Sequence, residues 1–251
     1  MEKAIKRIHS SMNAGKLTLY FILLLIVVFS VTAFVQKDDD RFVTYIADPR
    51  SVDIKLYWKD GNGTIFQSLG AVKSFCDSNK QQLLFAMNGG MYKTDRTPLG
   101  LYIENGKLLT PLNKHSASGN FYLQPNGVFY LKDGSAFICA TEKFNYNKSI
   151  QYATQSGPML LIEGKIHPAF TKGSANVNVR NGVGILPGNK ILFAMSKTPV
   201  NLYDFAMYFK EQGCMNALYL DGFVSRTYLP GKNWIQTDGD FGVIIGATVS
   251  K

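Results

Sequence analysis

The stretch Leu83-Leu84-Phe85-Ala86-Met87-Asn88-Gly89-Gly90 sets five apolar residues against an asparagine and two glycines. An apolar run that short reads as a buried strand, and Asn-Gly-Gly reads as its end. Just upstream, Leu69, Val72, Phe75 and Cys76 recur at helical spacing between Leu69 and Ser78, so a helix feeds this strand. The same unit returns later. Asn201 is suited to cap a helix, with Asp204 three residues on, and Phe205, Met207, Tyr208 and Phe209 follow up to a stop at Gly213. A strand from Ala217 to Leu220 comes next and stops at Asp221-Gly222.

Elsewhere the pattern is of strands and tight turns. Phe42 to Ile46, Val52 to Trp58 and Thr64 to Gln67 predict an antiparallel start, the last two joined through Asp60-Gly61-Asn62-Gly63. Four further hairpins are expected, turning at Glu104-Asn105-Gly106-Lys107, Lys132-Asp133-Gly134, Glu163-Gly164-Lys165 and Pro187-Gly188-Asn189. Phe241 to Val249 supplies a closing strand. The fold class is therefore α+β: a mixed, mostly antiparallel sheet with several β-hairpins and a few helices.

At 251 residues, the chain can supply one full core and a short appendage. That appendage comes first. Leu17 to Val35 runs nineteen residues without a charge, long enough to cross a bilayer as a helix. Lys3, Lys6, Arg7 and Lys16 precede it against Glu2 alone, which holds the N-terminus in the cytoplasm and sends the rest across. Val31-Thr32-Ala33 also suits signal cleavage, so the segment is a membrane anchor or a signal peptide. The expected organisation is a cytoplasmic basic N-terminus at 1–16, the membrane or signal segment at 17–35, a charged spacer at 36–41 and a globular domain at 42–251. The domain would lie outside the cytoplasm, tethered to the membrane or secreted if the segment is removed.

Of the 27 basic and 18 acidic residues, four and one precede Leu17, leaving 23 against 17 and a domain charge near +6. No Lys/Arg-rich run accompanies this excess, so it fits an anionic ligand or simply a solvated face. Nucleic acid is not expected outside the cytoplasm. Cys76, Cys139 and Cys214 are far apart and odd in number, without metal or redox spacing. No Gly-x-Ser-x-Gly elbow, dinucleotide fingerprint, phosphate loop or His-Glu-x-x-His occurs. His115 and His167 are the only histidines of the domain and do not make a metal site or a triad.

Polar and glycine clusters stand at strand ends instead. In order they are Phe85-Ala86-Met87-Asn88-Gly89-Gly90-Met91-Tyr92, Pro98-Leu99-Gly100-Leu101, Gln155-Ser156-Gly157-Pro158-Met159-Leu160 with Gly164 beyond, Arg180-Asn181-Gly182-Val183-Gly184, and Leu220-Asp221-Gly222-Phe223-Val224-Ser225. Each alone is short and is consistent with a tight turn. Five in this order resemble the phosphodiester glycosidase family, relatives of the lysosomal enzyme that removes N-acetylglucosamine from a phosphodiester to uncover mannose 6-phosphate. Phe223 departs from the pattern of the animal enzymes, which favours a second glycine after Asp-Gly.

The resemblance implies hydrolysis of a glycosyl phosphodiester in an envelope or extracellular glycan. Arg180 would offset charge on the departing phosphate with its planar fork. Asp221 would activate water or stabilise an oxocarbenium-like carbon, with Asp95 as the candidate second carboxylate. Asn88, Gly89, Gly90, Ser156, Gly157, Asn181, Gly222 and Ser225 would bind substrate through short polar groups and backbone amides. Tyr92, Tyr102, Tyr219, Phe223 and Tyr228 lie near these clusters and offer sugar-stacking faces or ordinary core. No cofactor is required; a divalent cation could join a phosphate there, but no ligand spacing demands one. The alternative is a non-enzymatic envelope module that binds anionic glycans or assists polysaccharide assembly.

Overall fold

In the computed structural model, the described residues are 39–221 and 223–251. The expected membrane or signal segment, the basic N-terminus and residues 36–38 of the charged spacer lie outside them. Among the described residues no helix is long and apolar enough to cross a membrane.

Among the described residues sixteen strands form three sheets. The first runs β1 (Phe42–Ala47), β12 (Ile191–Ser196), β11 (Asn181–Ile185), β13 (Asn216–Tyr219), β9 (Met159–Ile162), β10 (Lys165–Ile166). The second runs β15 (Trp234–Ile235), β14 (Thr227–Leu229), β3 (Gln81–Gly90), β16 (Val243–Ser250), β2 (Asp53–Tyr57). The third runs β5 (Lys107–Thr110), β4 (Tyr102–Glu104), β8 (Ile150–Ser156), β6 (Gly127–Lys132), β7 (Ser135–Ala140). Every pairing among these strands is antiparallel, which corrects the expected mixed sheet.

Helix α1 (Leu69–Ser78) is capped by Ser68, whose hydroxyl accepts from the Ala71 amide, and it buries Leu69, Val72 and Cys76 against the second sheet. Helix α2 (Leu202–Glu211) is capped by Asn201 through a 2.8 Å bond from the Asp204 amide and buries Phe205, Ala206, Tyr208 and Phe209 on the first sheet. The four expected hairpins form. The turn at Gly188-Asn189 has two consecutive positive-φ residues, and so have the other three, each ending on glycine: Asn105-Gly106, Asp133-Gly134 and Glu163-Gly164. That is the conformation whose twist suits two-residue hairpin loops, which is why glycine takes the second place in those three.

The antiparallel start does not form as expected. β1 pairs with β12 and β2 pairs with β16, so the two strands belong to different sheets. The Thr64 to Gln67 arm contributes single bridges, Lys59↔Ile65 and Gln67↔Phe241, and no strand. Gln67 at φ 60° breaks the extended run immediately before the cap of α1. The core draws on all three sheets: the Phe193 ring of β12 stacks on Phe85 of β3 at 4.8 Å and meets Phe129 of β6 edge-on at 6.1 Å. A buried ring of this size contributes about 1.5–3 kcal/mol by removal from water, so this junction is a main tie between the sheets.

Candidate active site

The Asn88-Gly89-Gly90 cluster lies within β3, not beyond its end. A bulge in β3 sets Asn88 opposite Ile244 and Gly90 opposite Val243 of β16, leaving Gly89 without a direct partner. A Cβ on Gly89 would collide with Ile245, and one on Gly90 would stand 2.5 Å from Thr154 Oγ1, so close packing requires both glycines. Gly157 is likewise packed, its Cβ position lying 2.5 Å from that of Asn126. Gly222 lies outside the described residues.

Between them the strand ends hold one short piece of chain from several sides. The Asn88 side chain, wholly buried, donates from Nδ2 to the Asp221 carbonyl at 2.7 Å. Its Oδ1 accepts from Asn181 Nδ2 at 3.0 Å and from the Arg226 amide at 3.1 Å. Asn181 Oδ1 accepts from the Asp221 amide at 3.0 Å. Ser225 Oγ donates to the Asp221 carbonyl at 3.2 Å, and Ser156 Oγ donates to the Leu220 carbonyl. Asn88, Ser156, Asn181 and Ser225 thus spend side-chain capacity on the Leu220 and Asp221 peptide groups. Their effect is to fix the backbone that carries the Asp221 carboxyl.

That carboxyl is partly buried, and no basic side chain pairs with it among the described residues. Burial pushes it up to about 7, opposed by a hydrogen bond from the Phe223 amide. The Tyr92 phenol is raised by its own burial and then by the Asp221 charge, which brings the loop after β3 within electrostatic reach of the site. Tyr92 donates to the Asp240 carbonyl at 2.6 Å.

Asp95 is elsewhere in its chemistry. Its Oδ1 accepts from the Thr97 amide at 3.0 Å on an exposed turn, and these bonds lower its pKa. Arg180 is completely buried behind the site. Its Nε donates to the Val200 carbonyl at 2.7 Å, Nη1 to the Tyr219 hydroxyl at 3.1 Å and Nη2 to the Asn176 carbonyl at 2.8 Å. Every nitrogen of the fork is engaged by neutral groups, and among the described residues no carboxylate pairs with it. The expected fork open to phosphate is therefore closed by the protein's own oxygens.

Two cations that the sequence reading passed over line a cavity that shares Ser225 with the site. A cavity of about 250 Å³ is lined by Phe223, Ser225, Arg226 and Lys197 among others. Lys197 is exposed and forms no ion pair among the described residues, while Arg226 pairs with the exposed Asp238 at 2.9 Å. Arg226 directly follows the Asp-Gly-x-x-Ser cluster, a signal that was present in the sequence; Lys197 became visible only through β12. Of the aromatic candidates, Tyr102, Tyr219 and Tyr228 are core residues, whereas Phe223 is 87% exposed at the cavity. His167 is buried and bonded through Nε2 to the Gln124 carbonyl at 3.0 Å. Among the described residues no three His, Cys, Asp or Glu side chains gather closely enough to hold a metal ion.

A profile of the phosphodiester glycosidase family matches residues 81–243, from the start of β3 to the start of β16. The Escherichia coli (strain K12) protein bearing the name "Uncharacterized protein YigE" is 41% identical over 189 residues, which is 74% of each chain. In structure, the chain is similar to the catalytic domain of zebrafish N-acetylglucosamine-1-phosphodiester alpha-N-acetylglucosaminidase, auto-inhibited by its pro-peptide. The TM-score is 0.58 at 16% identity, covering 84% of both chains. A hypothetical protein from Synechocystis aligns at TM-score 0.51 and 13% identity over 83% of this chain and 59% of its own. With the profile spanning the clamp and its strands, the chain belongs to the phosphodiester glycosidase family.

Proposed function

We propose that this chain is an exported hydrolase that cleaves a glycosyl phosphodiester, releasing the sugar from its phosphate with Asp221 as the working carboxyl. The observation that carries the reading is the convergence of Asn88, Asn181, Ser156 and Ser225 on the Leu220–Asp221 backbone. Such a clamp holds a carboxyl whose pKa is raised to about 7, so both protonation states are populated near neutrality. In the reaction, water adds to the anomeric carbon, the bond from that carbon to the phosphate oxygen breaks, and the phosphomonoester departs. The Asp221 carboxylate either takes the proton from the attacking water or stabilises positive charge on the sugar carbon. A phosphate leaves readily once its charge is offset, and Lys197 and Arg226 at the cavity supply that charge. Arg180, buried next to Asn181, ties the chain at Asn176 and Val200 to Tyr219 and so supports the strand that carries the clamp. Phe223 offers a face to the sugar or its aglycone.

The test is release of free sugar from a sugar-1-phosphate diester by the full-length chain and by Asp221→Asn. Loss of release with the fold retained is expected; equal release would remove Asp221 from the chemistry, and binding without turnover across a panel of diesters would favour a glycan-binding module. Export and tethering rest on the charged start and the uncharged run Leu17 to Val35. With the domain expected in the periplasm or outside the cell, a C-terminal tag should be digested by protease added to cells stripped to expose the cytoplasmic membrane, and a tag protected until that membrane is lysed would contradict export.

A further inference from the structure

A second cleft, with no lining residue in common with the cavity at Ser225 and Arg226, opens between the β2 edge of the second sheet and the β4–β5 hairpin of the third. It measures about 830 Å³, the size of a pocket for several sugar rings. We propose that this cleft binds an anionic oligosaccharide, one bearing carboxylates or other fixed negative groups along its rings.

Charge is the first argument. Lys55, Lys59 and Lys107 line the cleft, and among the described residues none of them forms an ion pair. The two acids of the lining are engaged as internal acceptors. Asp60 Oδ1 takes the Asn62 and Thr64 amides at 2.9 Å each, and Glu104 Oε2 takes the Tyr102 hydroxyl at 2.7 Å. Burial also raises the Glu104 pKa, shifting that group toward its neutral form. The cleft therefore presents net positive charge to an occupant.

Shape and polarity supply the second argument. Trp58, Phe66, Phe75 and Tyr152 line the same space, each half-buried; Lys59 Nζ lies over one face of Trp58 at 4.0 Å, and the remaining ring surface can contact the C–H faces of sugars. Amide side chains at Asn79, Gln81 and Asn105 add donors and acceptors suited to sugar hydroxyls; Asn79 Nδ2 also donates to the Phe75 carbonyl at 2.8 Å, and Asn105 Oδ1 also accepts from the Tyr152 hydroxyl at 2.6 Å. An extended peptide adding to β2 fits less well. That strand is five residues long, and beyond it the chain turns back through the Lys59↔Ile65 bridge, so the free edge is short.

Calorimetric titration of the full-length chain with tetragalacturonate, cellotetraose and hexa-aspartate tests this. Tetragalacturonate should bind at least about tenfold tighter than cellotetraose, and the Lys55→Gln/Lys107→Gln variant should lose at least about tenfold in affinity for it, as should wild type in added salt. Sugar release from a small sugar-1-phosphate diester should be unchanged in that variant, which separates this site from Asp221. Absence of tetragalacturonate binding, affinity indifferent to the two lysines, or equal binding of hexa-aspartate would each overturn the proposal.

Discussion

Asp95 and Asp221 are two aspartates on two loops near one strand end, and their surroundings give them opposite chemistry. At Asp95 the carboxylate itself does the structural bonding, accepting the Thr97 amide in water, and its pKa falls. At Asp221 the neighbours bond the backbone instead, through Asn88, Asn181 and Ser225, and the carboxyl is raised to about 7 by burial. A side chain used as a turn cap is committed; one whose peptide groups are held by others is fixed in place yet chemically free.

The sharpest way to break that contrast is to neutralise each carboxyl in turn. Asp221→Asn should lower sugar release by about 10²–10⁴-fold, the usual worth of a positioned acid or base. A loss of similar size in Asp95→Asn would dissolve the distinction. The clamp comes next: Asn88→Ala strips acceptors from the Arg226 amide and Asn181 and a donor from the Asp221 carbonyl. Leaving such buried groups unpaired should cost about 2–4 kcal/mol in urea unfolding. A cost near zero would mean water replaces the side chain and the clamp is loose.

The raised carboxyl carries a signed dependence on pH. With a folded pKa of about 7 above the ordinary 3.8, the folded chain keeps a proton that the unfolded chain has lost across this window. Stability from Asp221 is therefore present at low pH and disappears as pH rises through 7. Asp221→Asn, which cannot ionise, should exceed wild type by on the order of 2 kcal/mol at pH 8, and the difference should vanish at about pH 4. The smallest effect belongs to Asp95→Asn, with sugar release within about twofold of wild type.

Much of the fold was legible because its signals are local. The Leu69, Val72, Phe75, Cys76 spacing specifies α1, and Asn201 with Asp204 specifies the start of α2. The Asn-Gly, Asp-Gly and Glu-Gly turns specify three hairpins. β8 escaped notice because polar Gln151, Thr154 and Gln155 interrupt it. Yet Gln155 is buried, its Oε1 accepting the Leu101 and Asn113 amides at 3.0 and 2.9 Å. β14 and β15, of three and two residues, are too short to show a period. The site was legible as a set of clusters but not as a clamp, since Asn88 and Asn181 are 93 residues apart and meet only after two sheets have formed. Arg180 shows the limit most plainly: the sequence displays its charge, but only the fold reveals that Val200, Tyr219 and Asn176 already occupy its donors.

The central claim, that Asp221 is the working carboxyl of a glycosyl phosphodiester hydrolase, is tested most directly by the pH dependence of kcat/KM for release of sugar from a sugar-1-phosphate diester. Wild type should show a titration near pH 7 that is absent from the residual activity of Asp221→Asn. A wild-type profile flat through neutrality, or one whose break near 7 survives in Asp221→Asn, would contradict the account.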